Sequence, residues 1–149
     1  MNSLTLKESN QKIVERINNL SSDTAPLWGK MNSGQMLAHC TVGLRIANGE
    51  VIPKSNIVFK LLGRLVKRRI ISQESFKKNS RTAREFIISE DKNFNEEKDK
   101  ILKYLREMEI KGYDFFTKKP HAIFGPLKPE EWDTISFRHF DHHLKQFGV

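Results

Sequence analysis

The only cysteine in this chain is Cys40. A lone cysteine excludes an internal disulfide and a cysteine-built zinc knot, so a metal site must be assembled from histidine and carboxylate, and the usage suits a reducing cytoplasm. Long apolar runs are missing too. No stretch approaches the roughly 18 residues of a membrane span, and the opening MNSLTLKESNQKIVERI has no apolar signal-peptide centre. These absences lead us to expect a cytoplasmic protein that does not enter a membrane. Strong strand signals, internal repeats and low-complexity tracts are also lacking, which turns the reading toward helices.

What is present is ordinary soluble composition. With 38% hydrophobic and 30% charged residues over 149 positions, the chain can bury one real core, and a single domain over residues 1–149 is expected. The charge is unevenly spread. From Lys54 to Arg84, ten basic residues face one acid, Glu74, a local balance of +9 against +8 for the whole chain. Such a segment, 54–84, suits an anionic partner, and a non-enzymatic module that uses it to bind nucleic acid or a protein is one functional reading. Nucleic acid is the weaker partner, because only Phe59 and Phe76 lie in the stretch to stack on bases.

Periodicity divides the chain into helices. Ile13, Ile17 and Leu20 share one side of a first helix over about Leu4 to Leu20. A turn-rich connection holding Pro26 and Gly29 leads to Asn32 or Ser33 as N-cap of a second helix, which runs to Asn48 and stops at Gly49. Met36, His39, Gly43 and Ile46 line one side of it. A third, shorter and basic helix spans Ser55 to about Ile71. The stretch from Ser72 to Asn95 has no sustained period and reads as a long loop, a candidate lid or partner contact. A further helix runs from about Asn95 to Gly112 with Ile101, Leu105 and Met108 inward. The expected fold is all-α, an antiparallel four-helix bundle with the extra short basic helix and the long loop.

The last stretch, PEEWDTISFRHFDHHLKQFGV from Pro129 to Val149, holds three of the five histidines. Pro129 suits the first helical position, and Glu130, Glu131 and Asp133 put negative charge at the positive end of the helix dipole. At roughly 100° per residue, Phe137, Phe140, Leu144 and Phe147 form one stripe, with Trp132, Ser136, His139, His143 and Gln146 beside it. His139 and His143, four apart, stand one above the other, the spacing by which a helix offers two imidazoles to one metal ion. His142 points elsewhere, toward solvent or a partner chain, although a pairing of His139 with His142 at i and i+3 competes. His39, on the second helix, supplies a third imidazole, and bundles build metal sites from facing helices in this way. Three neutral imidazoles leave coordination positions open, as catalytic sites do. Zincin-type hydrolysis is disfavoured, since Phe140 follows the first histidine where a zincin has glutamate.

WGKMNSGQMLAHC from Trp28 to Cys40, together with HAIFGPL, the later EEW and HFDHHLKQFG, resembles the DinB/YfiT-like metalloenzyme superfamily, in particular a branch known only as a domain of unknown function. The resemblance implies a four-helix bundle holding a divalent metal on three histidines, which by position are His39, His139 and His143. Characterised relatives include S-transferases that use bacillithiol, mycothiol or a similar low-molecular-weight thiol, and a mycothiol-dependent isomerase. The implied function is a divalent-metal-dependent enzyme acting on a small-molecule electrophile or thiol, with a homodimer as the implied assembly. Three imidazoles suit zinc, nickel, iron(II) or manganese. A metal that lowers the pKa of a bound thiol makes a protein nucleophile unnecessary, and Cys40 reads as a small buried apolar residue. Gln146 is a candidate support for the histidines, and Trp28, Trp132 and Phe124 are candidate pocket wall. His121 lies in a piece that has Ala122 where the family usually has proline, and it is not assigned to the metal.

Overall fold

The computed structural model describes residues 3–52, 63, 67, 71–72, 76–80, 84–119, 121 and 124–149. Within them lie four α-helices, α1 (Lys7–Asn18), α2 (Ser33–Ala47), α3 (Phe94–Lys111) and α4 (Pro129–Gln146), and two 3-10 turns, Arg84–Phe86 and Gly112–Phe115. There is no β-strand among the described residues; His121 and Gly125 form an isolated antiparallel bridge. The regular structure of the described residues is therefore all-helical, as the periodicity implies. No described helix is long and apolar enough to cross a membrane.

The helix boundaries follow local chemistry. Asn32 accepts the Gln35 N–H at 2.8 Å while the Gln35 side chain accepts the Asn32 N–H at 3.0 Å, a reciprocal cap that starts α2. Gly49 follows its end at φ +84°, and a Cβ there would come within 2.7 Å of Thr117 Oγ1, so the site needs glycine for both backbone and space. Asn93 caps α3 by accepting from the Asn95 and Glu96 N–H groups. Pro129 opens α4, and Glu131 Oε2 accepts the Lys128 N–H at 2.8 Å.

Each helix packs on two others in the ring α1, α3, α2, α4. The shared core is formed by Ile13 and Ile17 from α1, Leu37 and Leu44 from α2, Ile101, Leu105 and Met108 from α3, and Phe140 and Leu144 from α4. The basic helix expected over Ser55–Ile71 lies mostly outside the described residues; Gly63, Lys67 and Ile71, which lie within them, are helical. Lys67 is not free charge. Its ammonium pairs with Glu131 at 2.9 Å and donates to the Pro126 carbonyl at 2.8 Å.

One boundary departs from the sequence reading. Leu4 was expected to open the first helix, yet α1 starts at Lys7, and residues 3–5 run as an irregular lead-in with Leu4 fully buried. Two buried polar side chains hold it there. Asp133, at the start of α4, accepts from the Leu4 N–H at 2.7 Å, from Thr5 Oγ1 at 3.0 Å and from Ser3 Oγ. Asn10 donates to the carbonyls of Leu4 and Leu105 at 2.6 and 2.9 Å, joining the lead-in to α3. The buried groups among them, the Leu4 N–H, the Asp133 carboxylate and the Asn10 amide, would be orphans without these partners. Asp133→Ala should therefore lower the unfolding free energy by about 2–4 kcal/mol in urea denaturation, as expected when several hydrogen bonds to a charged acceptor are lost together. Leu6→Ala, at a side chain 47% exposed, should shift it by no more than about 0.5 kcal/mol. Equal effects of the two changes would refute the role given to Asp133.

Candidate metal centre

α2 and α4 bring His39, His139 and His143 into one cluster. The three ring centroids lie 4.6–4.8 Å from one another. One nitrogen from each lies within 4.8 Å of the others, and His39 Nε2 and His139 Nε2 are 2.9 Å apart. Metal–nitrogen bonds of about 2.1 Å at tetrahedral angles put ligand nitrogens about 3.4 Å apart, within the range these atoms already span. The competing pairing of His139 with His142 is not what the fold assembles: His142 stands half-buried, edge-on to Trp28 at 5.9 Å and to Phe76 at 6.0 Å. It does not face open solvent, as its angular position on an isolated helix suggested, because the rings of Phe76 and Trp28 stand against it.

The surrounding groups decide where the ring protons sit. His39 Nδ1 is 2.8 Å from the Phe86 carbonyl, which can only accept, so Nδ1 carries the proton and Nε2 keeps its lone pair. Gln146 makes the same assignment at His143. Its Nε2 donates to the Trp28 carbonyl at 2.7 Å, which turns its oxygen toward His143 Nδ1 at 2.8 Å. His143 thus also holds its proton at Nδ1 and offers Nε2. Outward carbonyl-type partners that orient an imidazole are the usual support of metal-ligating histidines.

Two glycines make room for this arrangement. Gly29 has φ +84°, and a Cβ there would sit 2.5 Å from Gln146 Nε2. Gly43 lies under His139, where a Cβ would come within 3.2 Å of Nδ1 and 3.6 Å of the Phe86 ring. Phe86 and Phe76 both stand edge-on to His139, at 6.0 and 6.2 Å. The stretch from Ser72 to Asn95 is therefore more than a loop: its Arg84–Phe86 turn supplies a carbonyl and a ring to the cluster. No sequence signal marks Phe86 for this, since a backbone carbonyl can come from any residue type.

Of the other sequence candidates, Gln146 lies against His143 and Trp28 meets Gln146 through its carbonyl and His142 through its ring. Trp132 and Phe124 are elsewhere. They pack around His121, Phe124 stacked on it at 4.5 Å and Trp132 at 5.0 Å, about two helical turns along α4 from His139. These two rings thus border His121, not the three clustered histidines. Cys40 is buried, and burial pushes its thiol up, so it is not a thiolate nucleophile.

Burial also keeps the imidazoles neutral. Desolvation lowers His39, His139 and His143, with mutual repulsion among the rings adding to it, and His143 is lowered to about 3; desolvation lowers His121 to about 4. Lone pairs are therefore available at neutral pH. The same shifts set a pH dependence. Each base is depressed when folded, so the unfolded chain takes the proton first; stability is full above the unfolded value near 6.5 and declines as pH falls through it toward the folded values. Metal-free protein should lose roughly 1 kcal/mol per buried imidazole between pH 7.5 and 5.5 in urea denaturation, and the loss should shrink in His143→Gln. An unchanged midpoint over that interval would contradict the burial of neutral imidazoles.

No curated protein and no solved structure matches the chain. One family model does, over residues 1–148, nearly the full length. That match covers the three histidines, Gln146 and the lead-in alike, and it places the chain in the family described as protein of unknown function, DUF1569.

Proposed function

We propose that the protein is a divalent-metal-dependent enzyme whose ion is held by His39, His139 and His143, and that it belongs to the thiol-dependent S-transferases. The observation that carries the metal reading is the pair of assigned protons: the Phe86 carbonyl and the Gln146 amide hold the protons of His39 and His143 at Nδ1, which leaves the Nε2 lone pairs for an ion, and the three rings each offer a nitrogen within 4.8 Å of the others. A core histidine needs no such convergence. The S-transfer reading rests on the similarity of the Trp28–Cys40 and HFDHH stretches to DinB/YfiT-like proteins and on the absence of a usable protein nucleophile at Cys40.

A bound divalent ion supplies Lewis acidity and lowers the pKa of a coordinated thiol into the neutral range. The chain does the rest. Phe76 and Phe86 limit water around His139, the Gln146 and Phe86 oxygens hold protons at the two Nδ1 atoms, and Gly43 lets the His139 ring lie close to α2. The same similarity suggests a homodimer and a small electrophile as co-substrate. The alternative, a binding module built on segment 54–84, has less support, since Lys67 is already paired with Glu131.

Metal analysis of protein purified without an affinity tag, followed by titration of zinc into demetallated variants, tests the reading. His39→Ala, His139→Ala and His143→Ala should each abolish tight binding, His142→Ala should retain it, and Gln146→Leu should weaken it about 10–100-fold. Tight binding that survives in His143→Ala and is lost in His142→Ala would overturn the ligand set. Turnover of an aryl halide that requires both metal and added thiol is the expected activity.

A further inference from the structure

Without a metal, the cluster closes on a hydrogen bond that an ion would have to replace. His39 Nε2 and His139 Nε2 stand 2.9 Å apart. Two bare lone pairs repel at that distance, so one proton lies between them, and its owner follows from the neighbours. His39 holds its single proton at Nδ1, against the Phe86 carbonyl at 2.8 Å. A second proton at its Nε2 would make the ring a cation, which burial opposes. The proton therefore belongs to His139, whose Nε2–H donates to His39. At His143 the Gln146 oxygen accepts from Nδ1 at 2.8 Å, which leaves Nε2 with its lone pair. The cluster thus holds two Nδ1–H rings and one Nε2–H ring, the odd one being His139. This is a satisfied state: among the described residues the only buried side-chain nitrogen or oxygen without a hydrogen-bond partner is Trp132 Nε1, outside the cluster.

An ion asks for another arrangement. Metal–nitrogen bonds of about 2.1 Å set neighbouring ligand nitrogens about 3.4 Å apart, so the 2.9 Å pair must spread by about 0.5 Å. The ion also needs the lone-pair position that the proton on His139 Nε2 covers. His139 is the ring able to release it. Phe86 and Gln146 claim the Nδ1 protons of His39 and His143, whereas no hydrogen bond from the described residues claims Nδ1 of His139. That atom lies beside Gly43, whose missing side chain leaves it unobstructed; a Cβ there would come within 3.2 Å. His139 also keeps partial exposure while the other two are buried, so solvent can exchange its protons.

We infer that His139 is a tautomeric latch: its Nε2–H holds the metal-free cluster shut on His39, and metal binding moves that proton to Nδ1. The inference rests on the three-histidine metal reading of the site. The step balances through solvent. Nε2–H passes its proton to water, Nδ1 takes one from water, and the ring stays neutral while the N–H···N bond is exchanged for a metal–nitrogen bond. His39 and His143 bind with no change of tautomer, because the oxygens at their Nδ1 atoms hold those protons in both states. The three ligands therefore have different parts: two are set by the fold, and one switches between a partner inside the cluster and the ion.

Nitrogen-15 NMR of the histidine rings tests this in the unaltered protein, since the couplings between ring nitrogens and carbon-bound ring protons differ in pattern between Nδ1–H and Nε2–H tautomers. At neutral pH the metal-free protein should show His39 and His143 as Nδ1–H rings and His139 as an Nε2–H ring. Zinc at one equivalent should convert His139 to Nδ1–H, leave the other two tautomers as they were, and shift the Nε2 signals of all three rings together. A metal-free His139 found as Nδ1–H, or a zinc complex in which His139 remains Nε2–H, overturns the latch and leaves the metal reading intact. Zinc that moves none of the three histidine signals overturns the metal reading and the latch with it.

Discussion

The Gln146 amide has one orientation open to it, and the cluster depends on that constraint. A carbonyl on one side accepts and an imidazole nitrogen on the other must then donate, so the amide cannot turn over without setting two acceptors and two donors against each other. The direction of the His143 lone pair follows from a turn more than a hundred residues away in sequence. The Phe86 carbonyl performs the same service for His39 from a third segment. Three separate pieces of chain thus converge on a single arrangement of protons, and each piece is held by ordinary packing rather than by the cluster itself.

The cost of this arrangement is desolvation. Buried imidazoles surrounded by apolar residues resist protonation, which weakens the metal-free fold in acid and keeps the nitrogens basic toward a cation at neutral pH. The core that offsets this cost is built largely away from the histidines, from Ile13, Ile17, Ile101, Leu105 and Met108. A second set of buried polar groups, Asp133 and Asn10, is spent on holding the lead-in and plays no part in the cluster. Burial of polarity in this protein therefore serves two unrelated ends, one structural and one chemical, on the same helix α4.

Membership in a family of unknown function leaves chemistry to be argued from the site. Three histidines from two helices could hold a metal ion, with carbonyl-type oxygens supporting two of them and the Phe76 ring standing against His139. The basic character of the chain also changes meaning in three dimensions. Lys67 stabilises the start of α4 and Lys78 lies against Trp28, so two charges of the run have specific structural neighbours.

Local chemistry determined much of this from sequence. Asn32, Gly49 and Pro129 mark helix ends because caps and φ preferences act over a few residues, and the core stripe of α3 and the shared face of His139, His143 and Gln146 follow from the helical period alone. Tertiary structure decided the rest. Leu4 is lead-in rather than helix because Asp133 and Asn10, distant in sequence, claim its backbone. His142 is covered because the Phe76 and Trp28 rings stand against it, and Trp132 and Phe124 gather at His121 because position along the helix, as well as face, sets who meets whom. The Phe86 and Trp28 carbonyls were invisible beforehand for a simple reason. Every residue carries a carbonyl, and only the path of the folded backbone determines which one arrives beside an imidazole.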